Sequence, residues 1–116
     1  MTGESTRSGL AMLTTTVSAE ADARQLAQAA LTLRLAACVQ VEPITSHYHW
    51  EGALQEEREL RLVFKTLRQT VPALLAMLQE RHPYTLPQLV VQPLDASAEY
   101  FQWVAEQLAR PAPSPA

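Results

Sequence analysis

The 116 residues of the chain fit one domain of the common ~100 to 150 residue size, long enough to bury a core without metal or disulfide staples. A formal net charge of -3, with nine Lys and Arg scattered along the chain, leaves no basic footprint for nucleic acid. The single cysteine excludes an internal disulfide framework, and the polar start "MTGESTRS" holds no apolar stretch of signal or membrane length, so a cytosolic (cytoplasmic) protein with no membrane partner is expected.

Residues 1–8 and the Pro-rich "RPAPSPA", residues 110–116, lack apolar anchors and are expected to be disordered tails around a domain at 9–109. "GLAMLTTTV" has the apolar run and Thr enrichment of a buried strand, and Ser18 follows in N-cap position, so a helix is expected from near Ala19 to near Arg34. Ala23, Leu26, Ala27, Ala30 and Leu33 form its stripe, whose small residues permit close approach to a sheet. "AACVQVEPITSHYHWEG" reads as a second strand, with Pro43 requiring an edge or a bulge because it donates no ladder hydrogen bond. After the Gly52 turn, "ALQEERELRLVFKT" alternates, with Leu60, Leu62 and Phe64 on one face and Glu59, Arg61, Val63 and Lys65 on the other. Thr70 and Pro72 open a second helix with Val71, Leu74, Leu75 and Leu78 at helical spacing. "QLVVQPL" follows as a short strand, and Asp95 or Ser97 opens a third helix.

The order β-α-β-β-α-β-α is the split βαβ plan of an α+β, ferredoxin-like domain with one extra helix and an antiparallel sheet. The hairpin between its second and third strands is long. At ~3.3 Å per residue it reaches roughly 50 Å, whereas a compact chain of this length is about 35 Å across. Such a ribbon bends or overhangs, and an overhanging edge is a template for another chain, so a homo-oligomer is expected. Several strands are also apolar on both faces, more than helices on one side can cover.

Two histidine-bearing segments carry the candidate chemistry. His82 ends the second helical stripe, and Pro83 disfavours a helical conformation for the residue before it. Two readings stand: a helix-terminal histidine beside the carbonyl end of the dipole, or a binding-site wall held rigid, with Tyr84, by Pro83 and Pro87. In "HYHWEG", His47, His49 and Glu51 share one strand face, so the imidazoles start roughly 7 Å apart and can converge on Zn²⁺ or Cu²⁺. Tyr48 and Trp50 face the other way, as packing residues or as the wall of an intersubunit pocket. Cys38 reads as a small buried hydrophobe, Lys65 as an ion-pair member, and Glu56, Glu57 and Glu59 with Arg58 and Arg61 as a solvated hairpin end. No phosphate-cradling glycine loop and no Ser-His-Asp order is present, and no catalytic residue is assigned.

The segments "LAACVQV", "SHYHWEG", "FKT", "HPYTLPQLVVQPL" and "YFQWV", in that order, resemble the CutA divalent-cation tolerance family from Met12 to about Leu108. The resemblance implies a ferredoxin-like subunit in a tight homotrimer, with the long hairpin augmenting a neighbouring sheet. It also implies copper bound through a first-strand cysteine and a His-His pair before Pro-Tyr. Carried onto this chain, the pair becomes Arg81 and His82, and the cysteine becomes Thr15. The family's usual Glu after the second proline is Gln88, its common Lys after Trp-Glu-Gly is Ala53, and His47 and His49 stand where the family varies.

The expectation is therefore a trimer of divalent metal tolerance, not an enzyme. Its intersubunit clefts, lined by Tyr48, Trp50, Glu51, Lys65, His82 and Tyr84, hold a divalent ion (Cu or Zn) or a small ligand, with His82, His47 and His49 as candidate metal ligands. The alternative is a signalling trimer similar to the PII proteins that senses a small molecule without metal, a reading supported by fold analogy alone.

Overall fold

The computed structural model describes residues 5–110. Its elements are β1 (Thr6–Val17), α1 (Glu20–Thr32), β2 (Cys38–Trp50), β3 (Ala53–Leu67), a short 3₁₀ turn (Arg68–Thr70), α2 (Val71–Arg81), β4 (Val90–Ser97) and α3 (Ala98–Ala109). The four strands lie in the order β2-β3-β1-β4, and each neighbouring pair is antiparallel. β3 thus inserts between the strands that α1 connects, which is the split βαβ arrangement the element order implies.

Alternation along β1 and β3 decides where the core forms. Leu13 and Val17 of β1 stand on the same face as Leu62 and Phe64 of β3, and α1 and α2 cover them with Ala23, Leu26, Ala30, Leu74 and Leu78. Ala23 and Ala30 give α1 the close approach expected of small residues, while Leu33 lies past the helix end and is exposed. Two buried threonines on this side are satisfied: Thr66 donates to the Leu35 carbonyl at 2.7 Å, and Thr15 bonds to His82.

Leu10 and Leu67 form a register pair on the opposite face, one step out of phase with Leu13 and Phe64. They make a second core with Val104, packed by Leu94, Phe101 and Leu108, so α3 covers one corner of the far face. Helices therefore lie on both sides of the sheet. The rest of the far face, including Met12, Val63 and Val90, carries no helix among the described residues.

Several boundaries differ from expectation. β1 begins at Thr6, ahead of the expected domain start at Gly9, because backbone pairing of Thr6 with Ser97 and Arg7 with Ala96 ties down a polar segment that has no apolar anchor. Gly9, at φ +112°, sits where the β1–β4 register shifts; a Cβ there would meet the Phe101 ring at 3.0 Å, and the Arg7 guanidinium stacks on that ring at 4.2 Å. The remaining tail residues, 1–4 and 111–116, lie outside the described residues. Ser18 is not the N-cap of α1: that position is Ala19, without a side-chain cap. Ser97 is the cap of α3, its Oγ accepting the Tyr100 N–H at 3.1 Å. Pro43 stands on β2, the edge strand, and the pairing runs through it without a bulge.

β2 and β3 pair continuously from Cys38–Lys65 out to Trp50–Ala53, closed by a two-residue turn in which Glu51 (φ 51°) and Gly52 (φ 81°) are both left-handed. β1 accompanies β3 only from Leu60 to Leu67, so among the described residues the outer ribbon from Ala53 to Glu59 has no third strand beside it. The overhang shows in the dimensions of 53 × 44 × 21 Å, and in a radius of gyration of 15.8 Å against about 13 Å for a compact chain of this length. Phe64, fully buried between the sheet and both helices, anchors the ribbon's base. Phe64→Ala is expected to cost about 3 to 5 kcal/mol of unfolding free energy, read from urea denaturation.

Candidate functional site

α2 stops where the sequence requires it to. His82 is extended (φ -69°, ψ 136°) and its N–H closes the last turn on the Leu78 carbonyl at 2.8 Å. Pro83 enforces that conformation. The chain then turns so that the imidazole meets β1: Nε2 lies 3.0 Å from Thr15 Oγ1, and Nδ1 accepts the Tyr84 backbone N–H at 3.1 Å. A backbone N–H can only donate, so Nδ1 carries the lone pair and Nε2 carries the proton. The ring is neutral. Burial pushes its pKa below the usual 6.5, against the opposing pull of a hydrogen bond to the Thr16 backbone and the charges of Asp22 and Glu59.

Tyr84 continues the chain of contacts. Its ring packs against His82 with centroids 5.0 Å apart, and its hydroxyl donates to Glu59 Oε2 at 2.7 Å. Burial, then the Glu59 hydrogen bond, push the phenol up to about 12, while the Ser18 hydroxyl at the same oxygen acts in the other direction. Tyr48 donates to Glu57 Oε1, and that bond, ahead of every other cause, pushes its phenol up to about 12 as well. Between the outer ribbon and the 83–88 turn lies an open cleft of about 1190 Å³, walled by Tyr48, Trp50, Glu57, Glu59, Tyr84 and Gln88.

The expected cleft residues are only partly brought together. Tyr48, Trp50 and Tyr84 share the cleft. His82 stands behind Tyr84 and is not a wall residue, Glu51 is exposed at the ribbon's turn, and Lys65 lies at the far end of β3 opposite Cys38, its Nζ donating to Gln40 Oε1 at 2.9 Å. Glu57 and Glu59, read from the sequence as a solvated hairpin end, are the hydrogen-bond acceptors for both phenols. The signal was available: with the turn fixed at Glu51-Gly52, period-2 alternation puts residues 55, 57 and 59 on the side of Tyr48 and Trp50.

The donor set for a metal is sparse. Among the described residues no three His, Cys, Asp or Glu side chains are grouped to hold an ion. His47 and His49 are both exposed, and His47 Nδ1 stands 3.8 Å from Glu56 Oε1. At the positions where the resemblance implies copper ligands, Thr15 offers a hydroxyl and Arg81 a cation, while both nitrogens of His82 are already engaged. These three residues, as arranged, do not fit a copper centre.

The split βαβ sheet with its long ribbon is a fold shared with known proteins. A family model described as CutA1 divalent ion tolerance protein matches residues 11–107. The chain belongs to that family. The divalent-cation tolerance protein CutA of Thermus thermophilus is 41% identical over 93 residues, covering 78% of this chain and 90% of its own. The solved structure of CutA from Synechococcus elongatus superposes with a TM-score of 0.86 at 43% identity, over 91% of this chain and 97% of that one. The CutA structure from Archaeoglobus fulgidus, described as a periplasmic divalent cation tolerance protein, gives a TM-score of 0.82 at 26% identity, covering 85% and 98%. The family is defined by tolerance of divalent ions and not by a catalysed reaction, in line with the reading of this chain as a non-enzyme. Among the described residues no helix is long and apolar enough to cross a membrane.

The lowered His82 pKa has a sign. Between 6.5 and the lower native value, the unfolded chain binds a proton that the native ring refuses, so stability falls as pH falls through that window and is fully recovered above it. Urea midpoints measured from pH 7.5 down to pH 5 are expected to decline more steeply for wild type than for His82→Gln.

Proposed function

We propose that this member of the divalent ion tolerance family works as a homotrimer whose outer ribbons pair with neighbouring subunits, and that the cleft beside each ribbon holds a small ligand or a divalent ion. The observation that carries the reading is the free ribbon edge from Ala53 to Glu59. Backbone N–H and C=O groups on an unpaired edge favour another strand over water. The half of the far sheet face that no helix covers, with Val90 exposed on it, and the exposed Leu54 and Trp50 near the ribbon's turn give a neighbouring copy apolar surface to bury. Three-fold closure is the arrangement that the family resemblance implies, and it leaves no ribbon unpartnered.

In this reading Glu51 and Lys65, which lie outside the chain's own cleft, belong to the part of the site completed by a neighbouring copy. For Cu²⁺ or Zn²⁺ the imidazoles of His47 and His49 are the remaining side-chain donors, since those of His82 are committed. Two imidazoles on an exposed ribbon bind such ions weakly unless further groups join them. A cytosolic location, expected from the single cysteine, is part of the same proposal.

Sedimentation at micromolar concentration is expected to give the mass of three chains; a stable monomer would remove the trimer and its shared clefts together. In calorimetric titrations, binding of Cu²⁺ or Zn²⁺ that weakens in a His47→Ala/His49→Ala double variant supports ion capture at the ribbon. A wild-type affinity weaker than about 100 μM, roughly -5.5 kcal/mol, counts against direct buffering of the ion. Nucleotide binding without metal binding would move the reading to a PII-like sensor.

A further inference from the structure

We infer that His82 is a positioning residue in this chain, holding the wall of the cleft in place, and that it does not ligate copper. Each ring nitrogen already faces a partner. Nδ1 accepts the Tyr84 N–H at 3.1 Å, and Nε2, which must then carry the proton, lies 3.0 Å from Thr15 Oγ1. A Cu²⁺ or Zn²⁺ ion bonds imidazole nitrogen at ~2 Å along the direction of its lone pair. On the Nδ1 side that point is filled by the Tyr84 N–H. On the Nε2 side it lies in the gap to the Thr15 hydroxyl, and taking it would require removing the proton and displacing that hydroxyl.

Those bonds tie three elements together. Thr15 belongs to β1, and the Tyr84 N–H begins the 83–88 turn. The Tyr84 hydroxyl ends on Glu59 of β3 at 2.7 Å. The turn that supplies Tyr84 and Gln88 to the cleft is therefore pinned at its start by the imidazole and across the cleft by a carboxylate. Proline at 83 and 87 removes backbone freedom between the pins. A hydroxyl at position 15 suits this role, since it can accept from Nε2–H inside a buried strand.

The inference rests on the reading of the cleft as a binding site only for what the pinned wall serves; the pinning itself is a property of the single chain and is tested separately. Hydrogen exchange of the Tyr84 amide is expected to quicken about tenfold in His82→Ala, the equivalent of one net hydrogen bond. His82→Asn, whose carbonyl oxygen can stand near the Nδ1 position, should restore most of the protection. Loss of structure at large would quicken exchange throughout and show no rescue by Asn. Unchanged Tyr84 exchange in His82→Ala would overturn the role. Copper is tested on wild type by adding Cu²⁺ and following paramagnetic broadening of ¹⁵N resonances. Broadening confined to the ribbon histidines, or absent, is expected. Selective broadening of His82 and Tyr84 would overturn the inference, whatever sedimentation reports about the trimer. Should His82→Ala not fold, the imidazole ¹⁵N shifts of wild type near pH 7.5 decide: a protonated Nε2 with a bare Nδ1 is expected, and the opposite tautomer or a charged ring overturns it.

Discussion

The pairing of β2 with β3 beyond the reach of β1 is the constraint on which the molecule depends. Inside the sheet, each strand has neighbours and the apolar residues of alternate positions meet helices. Beyond Leu60 no further strand among the described residues flanks the ribbon, yet its register continues without a break to the Glu51-Gly52 turn. A two-stranded ribbon of that length is marginal in water, since neither face is buried and both outer edges present unpaired backbone groups. What steadies it within the chain is cross-ribbon side-chain bonding: Arg61 to Glu42 at 2.8 and 2.9 Å, Tyr48 to Glu57, and the tether from Tyr84 to Glu59. The Arg61–Glu42 pair and the Tyr48–Glu57 bond are exposed and weak singly. The tether is different, because it joins the ribbon to the turn after α2, and so to the domain's core.

That tether explains why a histidine sits at the helix stop. Any residue before Pro83 would end α2, and a side chain without acceptor and donor would leave the Tyr84 N–H and the Thr15 hydroxyl without this partner. Neutral imidazole supplies one acceptor and one donor on opposite sides of a flat ring, which matches the two groups it meets. Burial helps by disfavouring the charged form, which would present a second donor to the Tyr84 N–H. Helix termination and cleft architecture are therefore one event at His82. The sequence reading gave His82 both roles, helix stop and cleft wall; the residue ends the helix, and its ring stands one layer behind the wall.

Much of the fold was legible because it follows from periodicity. The alternation of Leu60, Leu62 and Phe64 and the stripe at Leu74 and Leu78 each have one physical solution once the element order is written down, and Pro43 narrows its strand to an edge or a bulge. The parts that were not legible depend on long-range partners. Thr6 and Arg7 carry nothing apolar, and become strand only because β4 reaches back to them. Ser18 has the chemistry of a cap, but Tyr84 competes for its hydroxyl, so an uncapped Ala19 stands at the helix start. The placement of α3 on the far face follows from Leu10 and Leu67 being out of phase with Leu13 and Phe64, a shift visible only when the register between β1 and β3 is known. The cleft shows the same division: its aromatic residues stand out in the sequence, whereas Glu57 and Glu59 look like any charged hairpin end until the turn fixes which side they face.

The chemistry of the cleft follows from those carboxylates. Tyr48 and Tyr84 remain protonated at any physiological pH, each pushed up to about 12, so they act there as hydrogen-bond donors and never as anions. Each phenol uses its one proton on a glutamate, leaving the second oxygen of Glu57 and of Glu59 as a further acceptor. Among the described residues Arg58 is the one arginine or lysine in the cleft wall, which also includes His47, and it is set against two carboxylates. A surface that combines aromatic faces with surplus acceptors suits a donor-rich or cationic group, whether from a bound molecule or from a neighbouring subunit. The family's implied copper set of a thiolate and paired imidazoles asks for the opposite, soft donors with free lone pairs, and in this chain those positions hold a hydroxyl, a guanidinium and an imidazole already committed to the frame. Tolerance of divalent ions by this protein is thus best sought at the ribbon and the cleft, where uncommitted groups remain.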